Sequence, residues 1–79
     1  DKNKTPSDIF LNKGLRDSLN ECLSLLPLNF RTIIILRDIQ ELSYDEISTI
    51  VELPLGTVKS RINRARLRLY ECLKDKGLN

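Results

Sequence analysis

The chain has 79 residues, of which 13 are Lys or Arg, 11 are Asp or Glu and none is His, and its formal net charge is +2. This length suits one small domain with a modest core and leaves no room for a second. Its apolar runs are far shorter than the roughly 20 residues of a membrane span, and no signal-peptide pattern opens it, so we expect a cytoplasmic protein. Because it opens without Met and on polar residues, we also expect a piece of a longer protein.

The first half of the chain predicts two helices separated by Pro27. Thr5 can cap a helix that Pro6 begins, and apolar side chains then recur at three- and four-residue steps, which is typical of one buried helical face. These are Leu15, Leu19, Cys22, Leu23 and Leu26. Residues 28–40 include a β-branched run that local propensity would make a strand. The chain offers no second strand to pair with it, so we predict a helix.

The second half of the chain predicts a helix-turn-helix. Ser43 and Glu46 have the spacing of a capping box, which opens a short helix. A tight connection follows at residues 52–54, and a final helix runs from there toward Lys74. Apolar side chains are spaced to form a small core between the two helices: Ile47, Val51, Leu53, Val58 and Ile62.

The two cysteines, Cys22 and Cys72, lie fifty positions apart, and each is in line with apolar neighbours at helical spacing. This pattern, in an intracellular protein, favours two small buried hydrophobic side chains over a disulfide or a catalytic thiol. Without histidine and without a Cys-x-x-Cys pair, we expect no metal. The chain has no convergent carboxylates and no phosphate-binding glycine loop, so we expect neither an enzyme nor a cofactor.

Positive charge is concentrated in the last third of the chain. Residues 1–53 carry six Lys or Arg and nine Asp or Glu, net −3, whereas residues 54–79 carry seven and two, net +5. A basic surface on one side is the electrostatic footprint of a nucleic-acid-binding protein, although an exposed helix can also be basic without such a partner.

Helical geometry divides the final helix into two edges. At 100° per residue, one edge is predicted to face the core. It comprises Val58, Ile62, Ala65 and Leu69. The opposite edge has the chemistry to read bases in a DNA groove. Arg64 and Lys59 can donate to guanine, Asn63 can pair with adenine, and Ser60 is short enough for close approach.

Five further residues are predicted to meet DNA phosphates. Two belong to the helix N-terminus, where backbone amides point outward, and three are arginines on the sides of the helix. They are Gly56, Thr57, Arg61, Arg66 and Arg68. The three arginines could instead pair with acidic residues of the first helices.

The stretch from Leu23 to Leu69 resembles region 4, the C-terminal promoter-binding domain, of bacterial RNA polymerase sigma factors of the extracytoplasmic-function (ECF) group. The resemblance rests on Leu26-Pro27, on Leu42-Ser43-Tyr44 and above all on GTVKSR at residues 56–61 followed by RAR at residues 64–66. It implies an all-α fold, a small four-helix, winged-helix-like bundle of the kind found in sigma regions 3 and 4. This domain would cover residues 6–79, with the helix-turn-helix at about 43–70 and the end of an interdomain linker at residues 1–5.

The resemblance also implies partners. The last helix would dock in the major groove of the minus-35 promoter element, with base contacts from Lys59, Ser60, Asn63 and Arg64. The first two helices would bind the flap of the polymerase β subunit, and an anti-sigma factor could cover the domain. Neither a membrane nor a small-molecule substrate is implied. One departure is Glu52, which stands where the turn often has a left-handed glycine. Either the turn is built differently or it is strained by about 1–2 kcal/mol.

Two alternatives belong to other classes. The output domain of a response-regulator-type transcription factor has a similar helical plan, and it predicts a homodimer on repeated DNA sites with no affinity for polymerase. A protein-interaction module predicts that the basic helix binds an acidic protein. The Leu26-Pro27 junction and the constellation of Tyr44, Glu46 and Arg64 favour the sigma module over the first alternative.

Overall fold

Four helices follow one another in residues 13–77, the part of the chain that the computed structural model describes. They are α1 (Lys13–Leu25), α2 (Leu28–Ile34), α3 (Tyr44–Val51) and α4 (Leu55–Asp75). Residues 13–77 contain no strand, which confirms the prediction of an all-α fold. The predicted helix start at Thr5 and Pro6 and the predicted linker at residues 1–5 lie outside the described residues.

The β-branched run is helical, as predicted, and two of its side chains are buried in the core. Ile33 and Ile34 are 1% and 2% exposed. The helix then widens, since α2 continues directly into a π-helical segment, Ile35–Ile39, in which the N–H of Gln40 donates to the carbonyl of Ile35 at 2.9 Å. Sequence reasoning did not foresee this wide turn. Glu41 follows it with a positive φ of 58°.

The capping box predicted at the start of α3 is present. The Glu46 N–H donates to Ser43 Oγ at 3.0 Å, and the Ser43 N–H donates to Glu46 Oε1 at 2.9 Å. These hydrogen bonds hold the pKa of Glu46 below its ordinary value, and the bond from the Ser43 backbone has the largest effect. The box therefore stabilises the ionised carboxylate at the positive end of the helix.

The turn between α3 and α4 keeps the left-handed geometry, so of the two outcomes expected from the sequence it is the strained one. Glu52 is left-handed, with φ 57° and ψ 47°. The side chain of Ser48 ties the turn together, because its hydroxyl donates to the carbonyl of Leu53, while the Leu53 N–H donates back to the Ser48 carbonyl at 3.2 Å. These two bonds stabilise a backbone conformation that glutamate itself disfavours.

Every helix contributes to one core. The edge of α4 predicted to face it is buried throughout, with side chains between 0% and 5% exposed. The core residues are Cys22, Leu23, Leu26, Ile33, Ile34, Ile47, Val58, Ile62, Ala65 and Leu69. Val51 and Leu53, also predicted for this core, pack against it while partly buried.

The prediction that the cysteines are free was wrong. Cys22 of α1 and Cys72 of α4 form a disulfide, with their Cα atoms 5.8 Å apart. Both were correctly placed in apolar helical stripes, but two stripes that pack against each other can also bring two thiols within bonding distance. A separation of fifty residues gave no sign of this pairing.

Candidate nucleic-acid interface

The outward edge of α4 is exposed along the length predicted for base reading. Lys59, Ser60, Asn63 and Arg64 are all exposed, whereas Val58, next to Lys59, is fully buried. The four exposed residues recur at three- and four-residue steps, so they share one face of a helix whose other face is fixed in the core. A rigid helix therefore carries two cations, a hydroxyl and an amide side by side.

The N-terminus of α4 is open. Pro54 precedes the helix in an extended conformation, and no side chain caps it. The first intrahelical bond runs from the Val58 N–H to the Pro54 carbonyl at 3.0 Å, so the amides of the preceding turn have no acceptor within the helix. These amides include those of Gly56, which is exposed, and Thr57, which is half-buried. Such amides are suited to bind an anion.

Within residues 13–77, neither packing nor backbone geometry requires a glycine at position 56. A Cβ at this position would meet no heavy atom within 4 Å, and its φ is not positive. Glycine inside a helix lowers stability by roughly 0.5–1 kcal/mol relative to alanine. Because nothing inside the described residues explains the glycine, its small size fits the approach of something from outside.

An aromatic ring lies beside the predicted base-reading edge. The Tyr44 ring has Arg37 Cζ 4.5 Å and Lys59 Nζ 5.7 Å from its centroid. Arg37 is itself fixed, since its Nη1 donates to the Leu42 carbonyl at 2.8 Å. Both distances are those of cation–π contacts, so Tyr44 helps to orient Lys59. Sequence reasoning used Tyr44 only as a family signature, because contacts across two helices have no local pattern.

The three arginines on the sides of α4 have different surroundings. Arg66 pairs with Asp38, with Nε 3.0 Å from Oδ2 and a second hydrogen bond from Nη2 to Oδ1. Chiefly through this hydrogen bonding, Asp38 raises the pKa of Arg66. Pairing with an acid of the first helices was one of the two roles predicted for these arginines. Arg68 lies over the ring of Phe30 at 5.4 Å, and Arg61 is half-buried.

An apolar groove lies between α2 and the turn that joins α3 to α4. It has a volume of about 340 Å³, and its lining includes Leu28, Ile33, Val51 and Leu53, with Arg61 at one side. Leu28 is 70% exposed. The groove therefore combines an exposed leucine with a cation, a surface suited to another protein.

Within residues 13–77 there is no group of three or more metal-binding side chains. Across the same residues, no helix is both long enough and apolar enough to span a bilayer.

Comparison with known proteins gives one consistent family. The family described as "Sigma-70, region 4" matches residues 16–69. The chain is 40% identical over 70 residues to the ECF RNA polymerase sigma factor SigW of Bacillus subtilis strain 168, an alignment that covers 89% of this chain and 37% of that protein. It is 43% identical over 61 residues to the ECF RNA polymerase sigma-E factors of Escherichia coli K12 and Salmonella typhimurium LT2, covering 77% of this chain and 32% of each relative. The chain thus spans about a third of the length of these relatives.

Proposed function

The chain belongs to the sigma-70 region 4 family, and from this premise we propose that it is the module of an ECF sigma factor that recognises the minus-35 promoter element. In this role it acts in the cytoplasm by binding alone, without catalysis, metal or cofactor. It places RNA polymerase at a promoter by contacting DNA and polymerase at the same time.

The exposed edge of α4 is the observation that carries this proposal. The major groove of B-DNA admits an α-helix, and its guanines present two acceptors to a cation. Arg64 and Lys59 supply such cations, and the two residues Ser60 and Asn63, which lie between them in the sequence, supply polar groups. The buried opposite edge keeps the helix from rotating, so these four side chains meet the groove together.

Phosphate contacts add affinity that does not depend on sequence. The open amides at Gly56 and Thr57 suit one phosphate. Arg61 and Arg68 lie on the flanks, where further phosphates would pass. Arg66 has its Nε and Nη2 committed to Asp38, so of the three flanking arginines it has the least capacity left for DNA.

The apolar groove beside Leu28 supports a protein partner on the first helices. We assign it to the flap of the polymerase β subunit, and Arg61, which lines this groove, then lies where the polymerase and DNA surfaces meet. An anti-sigma factor that covers either surface would keep the module inactive. A response-regulator output domain is not favoured, because the matching family and the named relatives are sigma factors.

A paired binding experiment tests the proposal. Duplexes are selected from a random library, and affinity for a recovered duplex and its scrambled version is measured by fluorescence anisotropy. The wild type is compared with Lys59→Ala/Arg64→Ala, whose sites are exposed, so circular dichroism should show an intact fold. Both proteins are also captured on an immobilised bacterial β-flap.

We expect the wild type to prefer the recovered duplex, the variant to lose that preference, and both to bind the flap. Failure of both to bind the flap would point to a free-standing regulator, and a test for a homodimer would follow. A selection that enriches no sequence would instead favour an acidic protein as the partner of α4.

A further inference from the structure

The Cys22–Cys72 disulfide joins α1 to the C-terminal half of α4. Disulfides are rare in cytosolic proteins, where thiol reductants keep cysteines reduced, and those that do form there are usually transient. We propose that this bond is a reversible redox modification site that a dithiol reductant opens. Whether the bond is oxidised or reduced then sets how firmly α1 is held against α4. This inference rests on the proposed function only in placing the domain in the cytosol.

An open groove gives a reductant access to the bond. The groove has a volume of about 480 Å³ and is lined by both cysteines together with Arg68, Glu71 and Asp75. Cys22 is fully buried, whereas Cys72 keeps part of its surface exposed. An attacking thiolate therefore reaches the sulfur of Cys72 first.

The exchange proceeds in two balanced steps. A thiolate of the dithiol attacks Cys72 Sγ, which forms a mixed disulfide and releases Cys22 as a thiolate. The second thiol of the reductant, as its thiolate, then attacks the first sulfur of the reductant, which is bonded to Cys72 in the mixed disulfide, and releases Cys72 as a thiolate. The dithiol leaves as its own disulfide, and the protein gains two electrons and two protons. An oxidised dithiol reverses both steps.

The two redox states should differ in the attachment of α1 and not in DNA recognition. The disulfide lies near the end of α4, more than two turns beyond Arg64. Leu23 and Leu26 pack in the core and should hold α1 there after reduction, but the covalent link across fifty residues would be lost. Removing a link of this size shifts the melting temperature of a small domain by on the order of 10 °C.

The test measures reduction of the folded protein. The oxidised domain is incubated with dithiothreitol without denaturant, sampled over time and labelled with a polyethylene-glycol maleimide, so that free thiols appear as a gel shift. We expect both cysteines to become labelled, the bond to reform in oxidised dithiothreitol, and the melting temperature to fall on reduction. A Cys22→Ala/Cys72→Ala control should melt at one temperature in reductant and oxidant alike.

Charge variants test entry through the groove. Because the attacking group is an anion, Arg68→Gln should slow reduction and Glu71→Gln should speed it, each by roughly two- to five-fold. Lys74→Gln, at a residue that does not line the groove, should leave the rate unchanged.

Three results would overturn the proposal: a bond that yields only in denaturant, reduced cysteines that fail to pair in the oxidised dithiol, or charge variants that all react at the wild-type rate. None of these measurements uses DNA or polymerase, so their failure is separate from failure of the proposed function.

Discussion

At the scale of single residues, the arginines of α4 differ in their contacts within the domain. Arg64 has no ion-pair partner within residues 13–77, whereas Arg66 pairs with Asp38 and Arg68 lies over Phe30. In the proposed complex, a cation without an ion pair on the exposed edge of α4 could form a fork to a guanine, while a cation on the flank of the helix would reach only the DNA backbone. Replacement of Arg64 and replacement of Arg68 by alanine should therefore change DNA binding in different ways.

Arg64→Ala should cost roughly 1–3 kcal/mol of binding free energy on the preferred duplex and should relax preference at one base pair. Arg68→Ala should weaken binding to all sequences alike and flatten the dependence of affinity on salt. Anisotropy titrations on preferred and scrambled duplexes at several salt concentrations make the comparison. Equal losses on both duplexes for Arg64→Ala would remove this residue from the base-reading set.

Gly56→Ala should separate stability from binding. Since a Cβ has free space there, alanine should raise the free energy of unfolding by roughly 0.5–1 kcal/mol through its helix propensity. The same methyl group should weaken DNA binding if a phosphate approaches the backbone. Urea unfolding and anisotropy measure the two effects. Gly77→Ala is the matched control, and it should lower stability because Gly77 has a φ of 82°.

At the scale of helices, α3 depends on its capping box. Ser43→Ala should lower the free energy of unfolding by about 1 kcal/mol at neutral pH, because the Glu46 N–H loses its acceptor. The pKa of Glu46 is lowered in the folded state, so its stabilising effect is present above the ordinary glutamate pKa of about 4.3 and is lost as the pH falls through the lowered value. The hydrogen bond with the largest effect on this pKa comes from the backbone N–H of residue 43, which alanine keeps, so wild type and variant should both lose this stabilisation below about pH 4. Most of the difference between their free energies of unfolding should therefore persist from pH 7 to pH 3, and its disappearance in acid would contradict this.

Truncation of a side chain on the buried edge of α4 should lower stability far more than truncation on the exposed edge. Ile62→Ala should lower the free energy of unfolding by roughly 2–5 kcal/mol, because Ile62 is fully buried. Leu67→Ala should change it by less than about 0.5 kcal/mol, because Leu67 is 64% exposed. Thermal melts monitored by circular dichroism decide this. An unchanged melting temperature for Ile62→Ala would mean that the assigned edges are wrong.

Most of this architecture was readable from local patterns. The capping box at Ser43 and the helical period of α4 depend on residues that are close in sequence. The choice of a helix for the β-branched run depends on the absence of any second candidate strand in the sequence. The π-helical segment at residues 35–39 and the Cys22–Cys72 bond were not readable. The first depends on how α2 packs against the core and the second on how α1 packs against α4, and neither is visible in the spacing of neighbouring residues. The base-reading edge was predicted as a surface, and its contacts with DNA stay a prediction.

At the scale of the whole molecule, Arg66 and Asp38 connect the wide turn after α2 to α4. A double-mutant cycle with Arg66→Ala and Asp38→Ala should give a coupling free energy of roughly 0.5–1 kcal/mol, because the pair forms two hydrogen bonds but is about one-third exposed. Chemical denaturation of the four proteins measures it. Arg66→Ala should therefore weaken DNA binding partly by destabilising the domain, and additive effects in the cycle would show that the pair contributes nothing.

Four contacts within residues 13–77 are nested around the strained turn. From the innermost outward, they span 5, 28, 50 and 55 residues and join Ser48 to Leu53, Asp38 to Arg66, Cys22 to Cys72 and Glu21 to Lys76. Each outer contact closes a loop that the inner contacts have already shortened, so the entropy lost at each closure is small. We therefore expect these contacts to form in the order of their nesting. In the reduced chain, folding should nucleate at the turn between α3 and α4 and proceed outward, so that α1 is the last helix to dock and the first to leave.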